Sequence, residues 1–193
     1  MRRLLTLCAL ALAVVVAAPV AAQVVDGDTG DPPVELARGF LRSLRSLHWE
    51  GAAQALHPET LDRFRVLVSA IAAADSTGGV GRFLTGAAPE RFDSLDPERV
   101  FARAIGAMLG EMPGLAHAIQ DRDDEVLGTV PEGADAEHAV YRTQARIGGS
   151  VSEVKVMELG RVGAGWRVRW SDELEVLDAA LRGVAMGPRP RES

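Results

Sequence analysis

His138-Ala139-Val140-Tyr141-Arg142-Thr143-Gln144-Ala145-Arg146-Ile147 and, further on, Gly165-Trp166-Arg167-Val168-Arg169-Trp170-Ser171 are the stretches that decide the fold of this chain. In the first, Ala139, Tyr141, Thr143, Ala145 and Ile147 fall on one side of a period of two, and His138, Arg142, Gln144 and Arg146 on the other. In the second, Trp166, Val168 and Trp170 alternate with Arg167 and Arg169. Successive side chains of a strand point to opposite faces, so this alternation reads as antiparallel sheet with one buried face. Strands are expected over 125–130, 137–147, 151–161 and 166–171. The turn-rich Pro131-Glu132-Gly133-Ala134-Asp135, Gly148-Gly149-Ser150 and Gly163-Ala164-Gly165 separate them. Such short connections make a meander the simplest topology.

Outward from the sheet the period changes to that of a helix. Downstream, Asp172 and Glu175 have capping-box spacing, and Leu174, Leu177, Leu181 and Val184 form an apolar stripe, which predicts a C-terminal helix opening at Ser171 or Asp172. Upstream, Leu36, Ala37, Phe40, Leu41, Leu44 and Leu47 make one stripe over 33–48, with Arg38, Arg42 and Arg45 on the other side. His57-Pro58-Glu59 marks a break and a restart, followed by Leu61, Phe64, Val68 and Ile71. Gly78-Gly79-Val80-Gly81 is expected to end that helix in a loop. Asp96-Pro97-Glu98 supplies an acceptor, a proline and an acid at the start of another helix, whose stripe is Val100, Phe101, Ala104, Ile105, Met108 and Met112 and whose stop is Pro113-Gly114. The expected class is α+β: N-terminal helices packed on a curved antiparallel sheet of about four strands, with a C-terminal helix.

The first 22 residues read as a secretion signal: Arg2 and Arg3, the apolar run 4–18 broken only by Thr6, and Val20-Ala21-Ala22 before Gln23. The apolar run is shorter than the roughly 20 residues that span a bilayer. The chain is therefore expected to be exported, periplasmic or secreted, and free of the membrane once the signal is removed. Residues 23–33 read as a flexible leader, 34–187 as one domain and 188–193 as a frayed tail. The one cysteine, Cys8, lies in the signal, which excludes disulfide and thiolate chemistry in the remainder. With 21 basic residues against 27 acidic ones, a net charge of −6, nucleic acid is excluded as a partner.

Helices first, then a sheet ending in Gly165-Trp166-Arg167-Val168, resembles the NTF2-like superfamily of cone-shaped α+β domains. Residues 125–133 and His138-Ala139-Val140-Tyr141-Arg142 look like its small exported bacterial members of unassigned activity. The resemblance covers about residues 33–171 and implies a pocket between sheet and helices, or a sheet face used for pairing, including a homodimer. The pocket it implies would draw on Tyr141, Trp166 and Trp170 from the sheet and Phe40, Phe64 and Phe101 from the helices. No cofactor and no catalytic set are implied. The expected function is a non-enzymatic module that holds a small apolar ligand or a protein partner at the cone mouth or the sheet face. The alternative is a small isomerase- or dehydratase-like enzyme in which Tyr141, the one tyrosine, donates to a bound carbonyl.

The remaining clusters carry weaker chemistry. His48, His57, His117 and His138 show no ligand spacing and read as solvated or capping residues. Asp121-Arg122-Asp123-Asp124-Glu125 lacks the alternating oxygens and central glycine of a calcium loop and reads as the solvated start of a strand. No acid is clearly placed beside Tyr141, Glu158 being the exception considered because it shares a strand face with Val154 and Val156. Arg38, Arg42 and Arg45 read as a solvated face paired with nearby acids. Arg142, Arg146, Arg167 and Arg169 would make the outer sheet face basic unless Glu153 or Glu158 neutralises them. The glycine cluster at 78–81 follows a helix and not a strand, against a phosphate cradle, and no nucleophile elbow or dinucleotide fingerprint is present.

Overall fold

A computed structural model describes residues 32–75, 77–86, 94–145 and 151–186, with side chains as far as 183. The expected signal, the leader up to residue 31, Arg146, Ile147 and the glycine turn after them, the Val184 side chain and the tail lie outside the described residues. The chain is α+β. Helices α1 (Pro32–Arg45), α2 (Trp49–Ala55), α3 (Pro58–Ala74), α4 (Gly79–Thr85), α5 (Pro97–Glu111) and α6 (Pro113–Gln120) precede strands β1 (Arg122–Pro131), β2 (Ala136–Ala145), β3 (Val151–Val162) and β4 (Gly165–Ser171), and α7 (Asp172–Met186) follows them.

The long helices start where their caps say. His57 Nδ1 accepts from the Glu59 amide at the head of α3, and the Asp96 carboxylate accepts from the Glu98 amide at the head of α5. Three short helices depart from the sequence reading. The 33–48 stripe ends early: Leu47 takes a positive φ of 55°, and the chain turns into α2, which buries Trp49, Ala52 and Ala53. The glycine cluster at 78–81 is not a loop. Asp75 Oδ1 accepts from the Thr77 amide and hydroxyl and Oδ2 from the Val80 amide, Gly78 adopts φ 66°, and α4 follows, sinking Leu84 out of contact with water. Pro113 ends α5 but also starts α6, because a proline's missing N–H costs nothing in a first turn. None of the residues of α6 is buried.

The strands form one antiparallel meander in the order β1-β2-β3-β4. Ala139 and Tyr141 of β2, Met157 and Leu159 of β3 and Val168 of β4 show no exposure and pack with Phe40, Phe64, Phe101, Ile105 and Leu174 into a single core. Each Val, Leu, Ile, Met or Phe side chain among them is worth about 1.5–3 kcal/mol when withdrawn from water, which is how a chain without disulfides can hold together. Two bulges bend the sheet, one between Val126 and Gly128 and one between Glu158 and Leu159. The second changes the reading of β4. Arg169 is the extra residue, so Val168 and Ser171 both face inward although three positions apart, and Trp170 leaves the alternation. The two edges differ. β4 is closed by the α2–α3 connection, where His57 N donates to Val168 O at 2.8 Å and Thr60 Oγ1 to Arg169 O at 2.5 Å. β1 has no strand beside its outer edge among the described residues.

Candidate functional site

One end of the helix-covered sheet face carries charge where the sequence predicts apolar packing. Val126, Tyr141 and Lys155 lie side by side across β1, β2 and β3, with Asp124 and Thr143 beside them. The Tyr141 hydroxyl donates to Glu173 Oε2 at 2.5 Å. Glu173 comes from the first turn of α7, where the exposed amides and the helix dipole favour a carboxylate. Its Oε1 accepts from Arg122 Nη1 at 3.1 Å and lies 3.5 Å from Lys155 Nζ. Arg122 Nη2 donates to Asp124 Oδ2 at 3.3 Å, and the Thr143 hydroxyl donates to Asp124 Oδ1 at 2.7 Å. Arg122, Lys155, Asp124 and Glu173 are all mostly withdrawn from water, the most open being the Lys155 side chain at 16% exposure, and Lys155 Nζ also lies 3.8 Å from the exposed Asp172 carboxylate and 3.9 Å from that of Glu153.

The electrostatics follow from this geometry. Burial pushes the Tyr141 hydroxyl above its ordinary range, and the charge and hydrogen bond of Glu173 push it further. Burial alone would raise Glu173, but the Tyr141 hydroxyl, Arg122 and Lys155 together outweigh it and hold the carboxyl below its ordinary range. Glu173 is therefore an anion and Tyr141 a neutral donor over the working pH range.

Above this network lies a small hollow of about 130 Å³. Arg122, Lys155 and Glu173 line it together with Leu44, Trp49, Leu115, Ala118, Ile119, Val176 and Leu177, so that α1, α2, α6 and α7 make apolar walls over a charged floor. Gly106 of α5 leaves space for Trp49, since a Cβ there would come within 3.3 Å of Trp49 Cδ1.

The residues expected to line a pocket are not gathered here. Phe40, Phe64 and Phe101 are core: Phe64 and Phe101 meet edge to face at 5.0 Å, and none of the three shows more than 1% exposure. Trp170 stacks on Phe64 at 6.4 Å beneath the Arg63 guanidinium, and Trp166 is half-buried near Arg161. Tyr141 is sealed and reaches the hollow only through Glu173. Glu158, weighed as an inner acid, belongs to the outer face with Val154 and Val156; the inner residues of β3 are Lys155, Met157 and Leu159. The acids beside Tyr141 are Glu173 and Asp124, which sequence reasoning missed. Asp124 belongs to the run read as a solvated strand start, yet its side chain is 4% exposed. A signal was available: Arg122, Asp124 and Val126 share a phase, which places that run's central acid on the inner face.

Elsewhere, His57 caps α3, His138 Nε2 lies 2.6 Å from Glu132, and no group of three or more His, Cys, Asp or Glu among the described residues is placed to hold a metal. The outer sheet face is not the basic surface the arginines suggested. Arg142 pairs with Glu125 at 3.0 Å and Arg169 with Glu158 at 3.5 Å, around exposed Val130, Val154 and Val156. No helix of the described residues is long and apolar enough to cross a membrane. No protein-family model, curated protein or solved structure matches the chain.

Proposed function

We propose that this chain is an exported, non-enzymatic binding module of the NTF2-like kind, and that its ligand is a compact molecule with an apolar body and one polar end, held in the α6-covered hollow. The observation that carries this is the charged floor. Apolar residues of similar size would serve stability as well as or better than a buried ion network, so Arg122, Lys155 and Glu173 beneath a mainly apolar hollow are better accounted for by recognition. The hollow of about 130 Å³ is close to the engineered apolar cavity of about 150 Å³ that holds benzene. Both cations of the floor already have carboxylate partners, Arg122 in Glu173 and Asp124 and Lys155 in Glu173 and Asp172, which favours a neutral polar end such as a hydroxyl or carbonyl. Binding is favoured over catalysis because the Tyr141 proton is already committed to Glu173 and so is not free for a bound carbonyl. Phenol and cyclohexanol are suitable probes. A saturable rise in melting temperature, lost in a hollow-filling Ala118→Trp variant, is expected. An equal rise in that variant would place binding elsewhere.

A second reading has its own observation. Val154 at 59% exposure, Val156 at 49% and Val130 at 48% stand on the open sheet face inside a rim of paired charges. Exposed apolar patches of this kind mark association surfaces, and a second copy pairing face to face would cover them. Light scattering on the eluting protein tests this: a dimer that becomes a monomer in Val154→Glu/Val156→Glu supports the pairing, and a monomeric parent protein removes it.

A further inference from the structure

Of the 21 basic residues in the chain, all are arginine except Lys155. That one lysine stands on the inner face of β3, opposite Tyr141 of β2, and lines the hollow together with Leu44, Trp49, Ile119 and Leu177. A need for positive charge does not account for the exception, because Arg122 reaches the same Glu173 carboxylate from the same floor. An amine differs from a guanidinium in one chemical respect that matters here: it can give up a proton and form a covalent bond through its nitrogen. The surroundings limit which bond. Lys155 Nζ lies 3.5 Å from Glu173, 3.8 Å from Asp172 and 3.9 Å from Glu153, so a reaction that removed its positive charge would leave buried Glu173 with one cation fewer. Condensation with an aldehyde keeps that charge in place; acylation would abolish it.

We infer that Lys155 captures small apolar aldehydes in the hollow as a reversible iminium, with the Glu173 carboxylate as its counter-ion. This rests on the hollow being the binding site and narrows its ligand to one carbonyl class. The atoms balance within the site. Glu173 Oε2 is held by the Tyr141 hydroxyl, and Oε1 faces Lys155 Nζ at 3.5 Å. Oε1 takes one ammonium proton, which frees the nitrogen lone pair to attack the aldehyde carbon. A C–N bond forms as the carbonyl π pair moves to oxygen, and Glu173 returns the proton to that oxygen. A second nitrogen proton then passes through Glu173 to the hydroxyl, which leaves as water while C=N forms. Two of the three ammonium protons depart with the aldehyde oxygen, and the third stays on a nitrogen that is still a cation. The charge beside Glu173 is the same before and after. The apolar walls of α1, α2, α6 and α7 hold the hydrocarbon body and limit the water that reverses the condensation.

The test uses the chain from Gln23 onward, which keeps every buried residue described and offers only two amines, its α-amino group and Lys155. Benzaldehyde with cyanoborohydride converts any iminium to a stable benzylamine, and peptide mass spectrometry assigns it to one amine or the other. Lys155 is expected to take up one benzyl group at least about tenfold faster in the folded protein than in guanidinium chloride, because the hollow holds aldehyde and amine together. The α-amino group, reacting at similar rates in both states, is the internal reference. Cyclohexanol, or the hollow-filling Ala118→Trp, should suppress labelling at Lys155 and leave the α-amino group unchanged. Labelling of Lys155 no faster in the folded chain than in the unfolded one would overturn the inference, as would fast labelling indifferent to both cyclohexanol and Ala118→Trp. The two readings fail separately. A Lys155 that stays unlabelled while cyclohexanol still raises the melting temperature removes the iminium and leaves the hollow as a binding site; no labelling and no melting response removes both.

Discussion

The two faces of the sheet are made from the same alternation and end in opposite conditions. On the helix-covered side, Ala139, Tyr141, Met157, Leu159 and Val168 are fully covered, and the few polar groups admitted, Glu173, Arg122, Asp124, Thr143 and Lys155, pair with one another, leaving Arg122 Nε without a partner. On the open side, Val130, Val154 and Val156 stand in water while Arg142, Glu125, Arg169 and Glu158 pair around them. Apolar character alone therefore does not say which side of a strand is inside. What separates the sides is the helical layer: α1, α3 and α7 pack on the inner face with α5 behind them, and none of the described residues covers the outer one. Charge placed under the helices is held in fixed geometry, and charge on the open face is screened.

The largest effect expected from breaking this contrast is at Glu173. Glu173→Ala leaves Arg122 and Lys155 partly buried without their shared counter-charge and should cost about 3–5 kcal/mol in urea unfolding. A loss no greater than that of a surface substitution would mean that water reaches the network freely. Tyr141→Phe keeps the ring and removes one hydrogen bond to a carboxylate, and is expected to cost about 1.5–3 kcal/mol.

The same pair gives the molecule a pH signature. The folded Tyr141 pKa lies above the ordinary 10.0, so its contribution is whole below pH 10.0 and falls away as pH rises beyond it. Glu173 is depressed from 4.5, so its contribution is whole above pH 4.5 and falls away as pH drops toward the lower folded value. Melting temperature against pH should therefore show an alkaline decline that Tyr141→Phe flattens and an acid decline that Glu173→Gln flattens. Declines unchanged in both variants would assign the pH dependence to other groups. The smallest effect is on the open side, where Val154→Thr and Val156→Thr should change monomer stability by no more than about 0.5 kcal/mol. A larger loss would indicate that this face is covered in solution.

The contrast also marks where the sequence could be read. The strands, their meander and the inward phase of Ala139, Tyr141 and Thr143 follow from period-two alternation. β3 resists that reading because its apolar residues occupy both phases, Val154 and Val156 on one and Met157 and Leu159 on the other, and only the helical layer decides between them. The bulge in β4 was not legible: one extra residue shifts the phase, so Ser171 is buried while Trp170, half-buried, still packs on Phe64 of the helical layer. The short helices α4 and α6 were missed because their glycine and proline signals end one helix and start the next within a few residues, and α2 because the break before it, at Leu47 with its positive φ, carries neither glycine nor proline. Glu173 was out of reach for another reason: it belongs to a helix whose docking is tertiary, and its pairing with Tyr141 and Arg122 spans 32 and 51 residues.

Lys155 is the one lysine in the chain and lies on the floor of the hollow. Lysine labelled with ¹⁵N at Nζ therefore gives one side-chain signal, and a titration with cyclohexanol reads the site directly. The account predicts a saturable shift of that signal together with the Ala118, Ile119 and Leu177 amides, absent in Ala118→Trp. A Lys155 signal that stays still while the protein is saturated, or shifts that gather on Val154 and Val156, would contradict it.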